Sequence, residues 1–130
     1  MARILVVEDD PDICHLVALL LQSVGHSVLT AMDGAQGVVL AQQGLPDLIV
    51  MDLVLPITDG WTAIGRLKGE AHTAHIPILA LSAHAQTDDR MRARAAGCDD
   101  FLTKPFEVER LLAHVAAFID RAHAVGRSIN

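Results

Sequence analysis

Leu48-Ile-Val-Met51 is an unbroken apolar run held between Asp47 and Asp52. A run this short is no ordinary helix; it reads as a parallel strand covered on both faces. Such a strand needs elements packed above and below it, which confines the chain to layers of helices about a sheet. The run ends on Asp52, and a loop punctuated by Pro56 and Gly60 follows. A carboxylate at the end of a buried strand is penalised by desolvation unless it has a partner or a task. On this stretch alone, a structural Asp that caps the loop and a reactive Asp are equally good readings.

The rest of the chain supplies the layers. Ile4 to Val7 is a second apolar run, cut off by Glu8, Asp9 and Asp10. Pro11 then suits a first helical position with Asp10 as N-cap. Ile13, Leu16, Val17, Leu20, Leu21 and Val24 repeat at helical spacing and are expected to face inward, with Gly25 as the stop. Ser27 to Ala31 is a shorter, mixed strand. Asp33 and Gly34 open a helix with Val38, Leu40 and Ala41 inside, closed at Gly44. After the Asp47–Met51 strand, Asp59 caps a helix through Trp61, Ile64 and Leu67. His72 to Pro77 is loop, and Ile78 to Leu81 is a third apolar strand ending in Ser82. Thr87-Asp-Asp caps a helix ending at Gly97, Asp99 to Thr103 is a last strand, and Lys104-Pro105 follows. Val108, Leu111, Leu112, Val115, Phe118 and Ile119 mark a long amphipathic helix.

Strands alternating with helices predict an α/β fold, a five-stranded parallel sheet doubly wound with five helices. Strands 1, 3 and 4 are continuously apolar and belong inside; strands 2 and 5 are mixed and belong at the edges. Residues 1–123 form one domain and 124–130 a short tail. With one Trp and no Tyr, the core must be aliphatic. The net charge is −6 and the basic residues are scattered, which argues against nucleic-acid binding by the domain. Cys14 and Cys98 match no zinc spacing and are expected as buried thiols in a reducing compartment. Acids arrive too early for a signal peptide and no apolar run reaches membrane-spanning length, so a cytoplasmic domain without membrane contact is expected.

Reactive or cationic groups stand at four strand ends: Glu8 with Asp9, Asp52, Ser82 and Lys104. The ends of parallel strands share one edge, where ligands bind at the switch in strand order. If these groups form one site, strand 3 is central and the order is 2-1-3-4-5. Strand 5 then lies about 10 Å from strand 3, a gap that a lysine can largely cover. Glu8, Asp9 and Asp52 converging would repel one another unless a cation joined them. Hard oxygen ligands with open positions suit Mg²⁺. With the Lys104 ammonium and the Ser82 hydroxyl, they make a cradle for a phosphoryl group on Asp52. The plainer alternative is a cation site with a structural lysine bridge.

These motifs together resemble the receiver domains of two-component response regulators, over nearly the whole chain. The matching stretches are Ile-Leu-Val-Val-Glu8-Asp9-Asp10, Met-Asp52-Leu-Val-Leu-Pro56 with Asp59-Gly60, Leu-Ser82-Ala83, and Phe101-Leu-Thr-Lys104-Pro105-Phe106. That family has the 2-1-3-4-5, flavodoxin-like order, so the resemblance and the strand-end argument are one expectation rather than two. The resemblance implies that Asp52 accepts the phosphoryl group, from a histidine kinase or a histidine phosphotransfer protein. It implies that Asp9 and Asp52 hold Mg²⁺ directly, that Glu8 helps through water, and that Val54 offers its carbonyl. It makes Ser82 the switch hydroxyl, Lys104 the phosphate partner, and Lys104–Pro105 a cis peptide. Phe101 stands where Tyr is frequent, so the switch ring lacks a hydroxyl. Val54 and His84, two residues beyond Asp52 and Ser82, would tune dephosphorylation. A downstream protein would read helix 4, strand 5 and helix 5. Such a domain is no enzyme beyond Mg²⁺-dependent self-phosphorylation and slow autodephosphorylation. One alternative is a receiver from a hybrid kinase or longer regulator. Another is an aspartate-nucleophile phosphatase, which would need a second Asp where Val54 stands.

Other polar residues read as bland. His72 and His75 sit in a loop without a third ligand, and His15, His114 and His123 are expected at the surface of helices. Gly34 and Gly37 fit no phosphate loop. Arg90, Arg92 and Arg94 surround only Met91 and alanines, so their helix is a candidate mobile element.

Overall fold

The computed structural model describes residues 2–83 and 87–129, without the side chains of 87–89 and 122–129. In chain order the elements are β1 (Arg3–Val7), α1 (Pro11–Ser23), β2 (Ser27–Ala31), α2 (Gly34–Gly44), β3 (Leu48–Asp52), α3 (Gly60–Gly69), β4 (Ile78–Ser82), α4 (Thr87–Ala96), β5 (Asp100–Thr103) and α5 (Val108–Ile129). All strand pairs are parallel and the order is β2-β1-β3-β4-β5. The expected flavodoxin-like α/β fold is the fold observed, with the mixed strands at the edges.

Alternation along the strands divides the core. Leu5, Val7, Ile49, Met51, Ile78 and Ala80 face α2, α3 and α4, packing with Val38, Ile64, Leu67 and Ala93. Ile4, Val6, Leu48, Val50, Leu79 and Leu81 face α1 and α5, against Val17, Leu21, Leu111, Val115 and Phe118. Gly37 lets α2 lie close on the sheet, since a Cβ there would stand 2.8 Å from a methyl of Val7.

Caps form where short polar side chains precede helices. Asp10 Oδ1 accepts from Asp12 N at 3.0 Å, Asp33 from Gln36 N at 2.7 Å, and Asp59 from Thr62 N at 2.8 Å. Of the acidic triplet after β1, Asp10 is thereby taken up by α1.

Several expectations are corrected. The buried stripe of α1 is Cys14, Val17, Ala18 and Leu21, whereas Leu16 is 50% exposed and Val24 53% exposed. The helix is apolar nearly all round, so periodicity alone cannot choose its inner face. Asp99 precedes β5 rather than opening it. Its carboxylate takes Ile78 N at 2.8 Å and Lys68 Nζ at 3.0 Å, pinning the turn before β5 to the start of β4. His114 is half-buried, with Nδ1 2.7 Å from Asp100 Oδ2, so it is a tie between α5 and β5 and not a free surface group. The backbone beyond 123 continues α5 to Ile129; no proline interrupts it, and Gly126 alone is a weak helix former there. Lys104–Pro105 is cis, as the resemblance implied.

Candidate functional site at the strand ends

The register of the sheet brings the reactive groups together. Val7 pairs with Met51 and Asp52 with Leu81, so Glu8 and Asp52 leave neighbouring strands side by side. Ser82 pairs with Thr103, and Lys104 N donates to Ser82 O at 2.7 Å, which fixes the start of the lysine beside β4. The Lys104 side chain then crosses to the centre. Its Nζ lies 3.0 Å from Asp52 Oδ2 and 2.9 Å from Glu8 Oε1. Asp52 Oδ1 accepts from Val54 N at 3.0 Å, which orients the carboxylate toward the loop. Gly60 closes that loop: its N donates to Leu53 O at 3.0 Å, and a Cβ on it would stand 2.3 Å from Asp52 O.

Glu8, Asp9 and Asp52 each present one oxygen, all within 4.8 Å of one another. Glu8 is 1% exposed and Asp52 6%, while Asp9 stands at the solvent side. Three carboxylates against one ammonium leave a surplus of two negative charges if all are ionised. The strain shows on Glu8. Burial first, and then proximity to Asp52, push its carboxyl up to about 8, although Lys104 pulls the other way. Burial works against the Lys104 ammonium, but hydrogen bonds to Glu8 and Asp52 outweigh it and hold the group above its ordinary value. The lysine therefore stays charged at neutral pH.

The residues fit a divalent cation. Their donors are hard oxygens, one face is open at Asp9, and Glu8 Oε2 is buried without a hydrogen-bond partner among the described residues. An unpaired buried carboxylate oxygen is costly, and a cation or a bound water would relieve it.

Ser82 is 2% exposed at the end of β4, next to the strand that carries Asp52. Val54 turns its side chain outward, 61% exposed. Phe101 is half-buried on β5, with the Arg90 guanidinium 5.4 Å from its ring centroid. His84 lies outside the described residues. The structure thus brings Glu8, Asp9 and Asp52 together, with Lys104 reaching Glu8 and Asp52 and Ser82 one strand away. The roles of Arg90 and Arg92 were not visible beforehand. Arg92 lies 4.5 Å over the Trp61 ring, and neither contact has a sequence spacing that signals it.

Comparison with known proteins agrees with this geometry. The response regulator receiver domain family matches residues 4–116. The DNA-binding dual master transcriptional regulator RpaA of Synechocystis is 46% identical over 96% of this chain, which spans about half of RpaA (52%). Protein PilH of Pseudomonas aeruginosa is 38% identical over 92% of this chain and 98% of its own length. Among solved structures, the receiver domain of sensor histidine kinase PA1611 of P. aeruginosa has a TM-score of 0.85 at 34% identity, covering 92% of this chain and 98% of that one; its active-site cleft coordinates magnesium. Sheet order, strand-end chemistry and these matches lead to one assignment: the chain belongs to the response regulator receiver domain family of two-component systems.

Proposed function

We propose that this domain is a phosphorylation-switched signalling module in the cytoplasm, with Asp52 as its phosphoryl acceptor. The observation that carries the reading is the placement of Asp52: nearly buried, one oxygen 3.0 Å from the Lys104 ammonium, and two further carboxylates beside it. A histidine kinase or a histidine phosphotransfer protein supplies the group. An Asp52 oxygen attacks the phosphorus, the phosphorus–nitrogen bond breaks, and the imidazole nitrogen leaves with the electron pair. Glu8, Asp9, Asp52 and the Val54 carbonyl would hold Mg²⁺, with Glu8 acting through water. When bound, the ion offsets negative charge on the phosphoryl oxygens. Lys104 presents its ammonium to the same oxygens. Hydrolysis by water later restores Asp52.

The test uses a small acyl-phosphate donor with Mg²⁺ and intact-mass measurement. Wild type gains one phosphoryl group, and Asp52→Asn gains none. An undiminished gain in Asp52→Asn would overturn the assignment. The phosphatase reading is disfavoured because the position two residues beyond Asp52 is an outward-facing Val54 and not an acid. A receiver within a longer regulator or hybrid kinase would use the same switch, and no helix among the described residues is long and apolar enough to cross a membrane.

Two further expectations follow from the surroundings of Asp52. The exposed Val54 side chain cannot hydrogen-bond a hydrolytic water, so Val54→Asn is expected to speed dephosphorylation on the order of tenfold; a rate equal to or below wild type counts against it. Ser82→Ala is expected to keep phosphorylation but lose most of the gain in partner affinity. A phosphoryl group on Asp52 carries roughly −1.5 to −2 charge, and the Ser82 hydroxyl can form a charge-assisted bond by moving toward it. That shift frees space beside β4 for Phe101, which is already half-buried, so completing its burial is worth on the order of 1 kcal/mol, a part of the full exposed-to-buried value. The downstream partner then reads α4, β5 and α5 as a protein surface, without contact between this domain and nucleic acid. A full wild-type gain in phosphorylated Ser82→Ala would refute the coupling.

A further inference from the structure

Among its described side chains α4 gives the core little: Ala93 is buried and Ala96 packs against it, while Met91 is 65% exposed. A helix anchored by methyl groups should drift unless something on its flanks holds it. Two residues apart on a helix, side chains diverge by about 200°. Arg90 and Arg92 use this divergence to reach opposite neighbours. The Arg90 guanidinium lies 5.4 Å from the Phe101 ring centroid on β5, and its Nη2 donates to Thr103 Oγ1 at 3.4 Å. The Arg92 guanidinium lies 4.5 Å from the Trp61 ring centroid on α3. Both distances are within the range at which a cation is drawn to a ring face.

We propose that Arg90 and Arg92 are positioning residues that latch α4 in its resting place through paired guanidinium–ring contacts, one to each side. Each ring sits a short, stiff step from Asp52. Trp61 follows Gly60, which is hydrogen-bonded to Leu53 and pressed on the Asp52 carbonyl. Phe101 stands three residues before Lys104 on the strand paired with β4. A change at the site that turns either ring removes one latch, and removing both frees the helix. The inference deepens the switch reading, because it names what α4 is released from; the two guanidinium–ring contacts can be tested without Asp52 chemistry.

The test is amide hydrogen exchange of α4 in the full chain without phosphodonor. Arg90→Gln and Arg92→Gln, which keep a long helix-forming side chain, should each speed α4 exchange by roughly two- to fivefold and leave β3 amides unchanged. Arg94→Gln removes a charge in the last turn that lies over no ring among the described residues, and should change α4 exchange less than either latch variant. A double-mutant cycle of Arg92→Gln with Trp61→Leu isolates the contact and should show coupling of the same size. With acyl phosphate and Mg²⁺, α4 exchange should rise in wild type and rise less in the double variant Arg90→Gln/Arg92→Gln, whose latches are already open. Unchanged α4 exchange in both single variants, strictly additive effects in the cycle, or an equal effect of Arg94→Gln would overturn the proposal. Loss of only the phosphodonor-dependent rise, with the cycle intact, would leave the latches standing and strike the Asp52 reading instead.

Discussion

Lys104→Met is expected to slow phosphorylation of Asp52 on the order of a hundredfold. The ammonium is the one cationic group within hydrogen-bond reach of Asp52 among the described residues, and it contacts Glu8 as well. It is set in place before any phosphoryl group arrives, by the backbone bond from Lys104 N to Ser82 O and by the two carboxylates. A charge fixed in advance where negative charge accumulates needs no reorganisation during transfer, and in a mostly buried site its field is weakly screened. Met has similar length and no charge, so it keeps the packing and removes the electrostatics. Asp52 would then lose the cation beside it, and the entering phosphoryl oxygens would meet negative charge with no ammonium to balance it. The measurement is the initial rate of mass gain at saturating acyl phosphate and Mg²⁺, with circular dichroism to verify the fold. A rate within about threefold of wild type would show that Lys104 is a structural bridge rather than part of the phosphoryl cradle.

The strand-end site was legible because it depends on two periodicities that a sequence displays directly. Apolar runs mark buried strands, and the first polar residue after each run must lie on the common edge. Asp52, Glu8 and Ser82 stand where that argument puts them, whereas Lys104 follows a mixed strand and was picked out by its charge at the strand end; its ion pairs reach Glu8 and Asp52. What could not be read belongs to surfaces where several arrangements satisfy the same pattern. Helix α1 is apolar around most of its circumference, so its inward face had to come from packing against β1, β2 and α5. The Arg90, Arg92 and His114 contacts join residues on different elements, and no local spacing encodes a guanidinium over a distant ring or an imidazole beside Asp100. Burial of Glu8 was equally hidden. A carboxylate following a strand reads the same whether its oxygens reach water or, as Glu8 Oε2 does, end among protein atoms with no partner among the described residues.

On the proposed function, the phosphoryl group resides on Asp52 as an acyl phosphate. Three carboxylates lie together, so loss of phosphorylation in Asp52→Asn could arise from disturbing the other two. Chemical mapping of the unaltered protein avoids that ambiguity. Borohydride reduces an acyl phosphate, releasing phosphate and converting the aspartate that carried it to homoserine, whereas free carboxylates are untouched. After phosphorylation, reduction and proteolysis, peptide mass spectrometry should find homoserine at position 52 in proportion to the phosphoryl group incorporated, and at neither Asp9 nor Asp10. Reduction at Asp9 or Asp10, or a phosphoryl group that survives borohydride with Asp52 intact, would contradict the account.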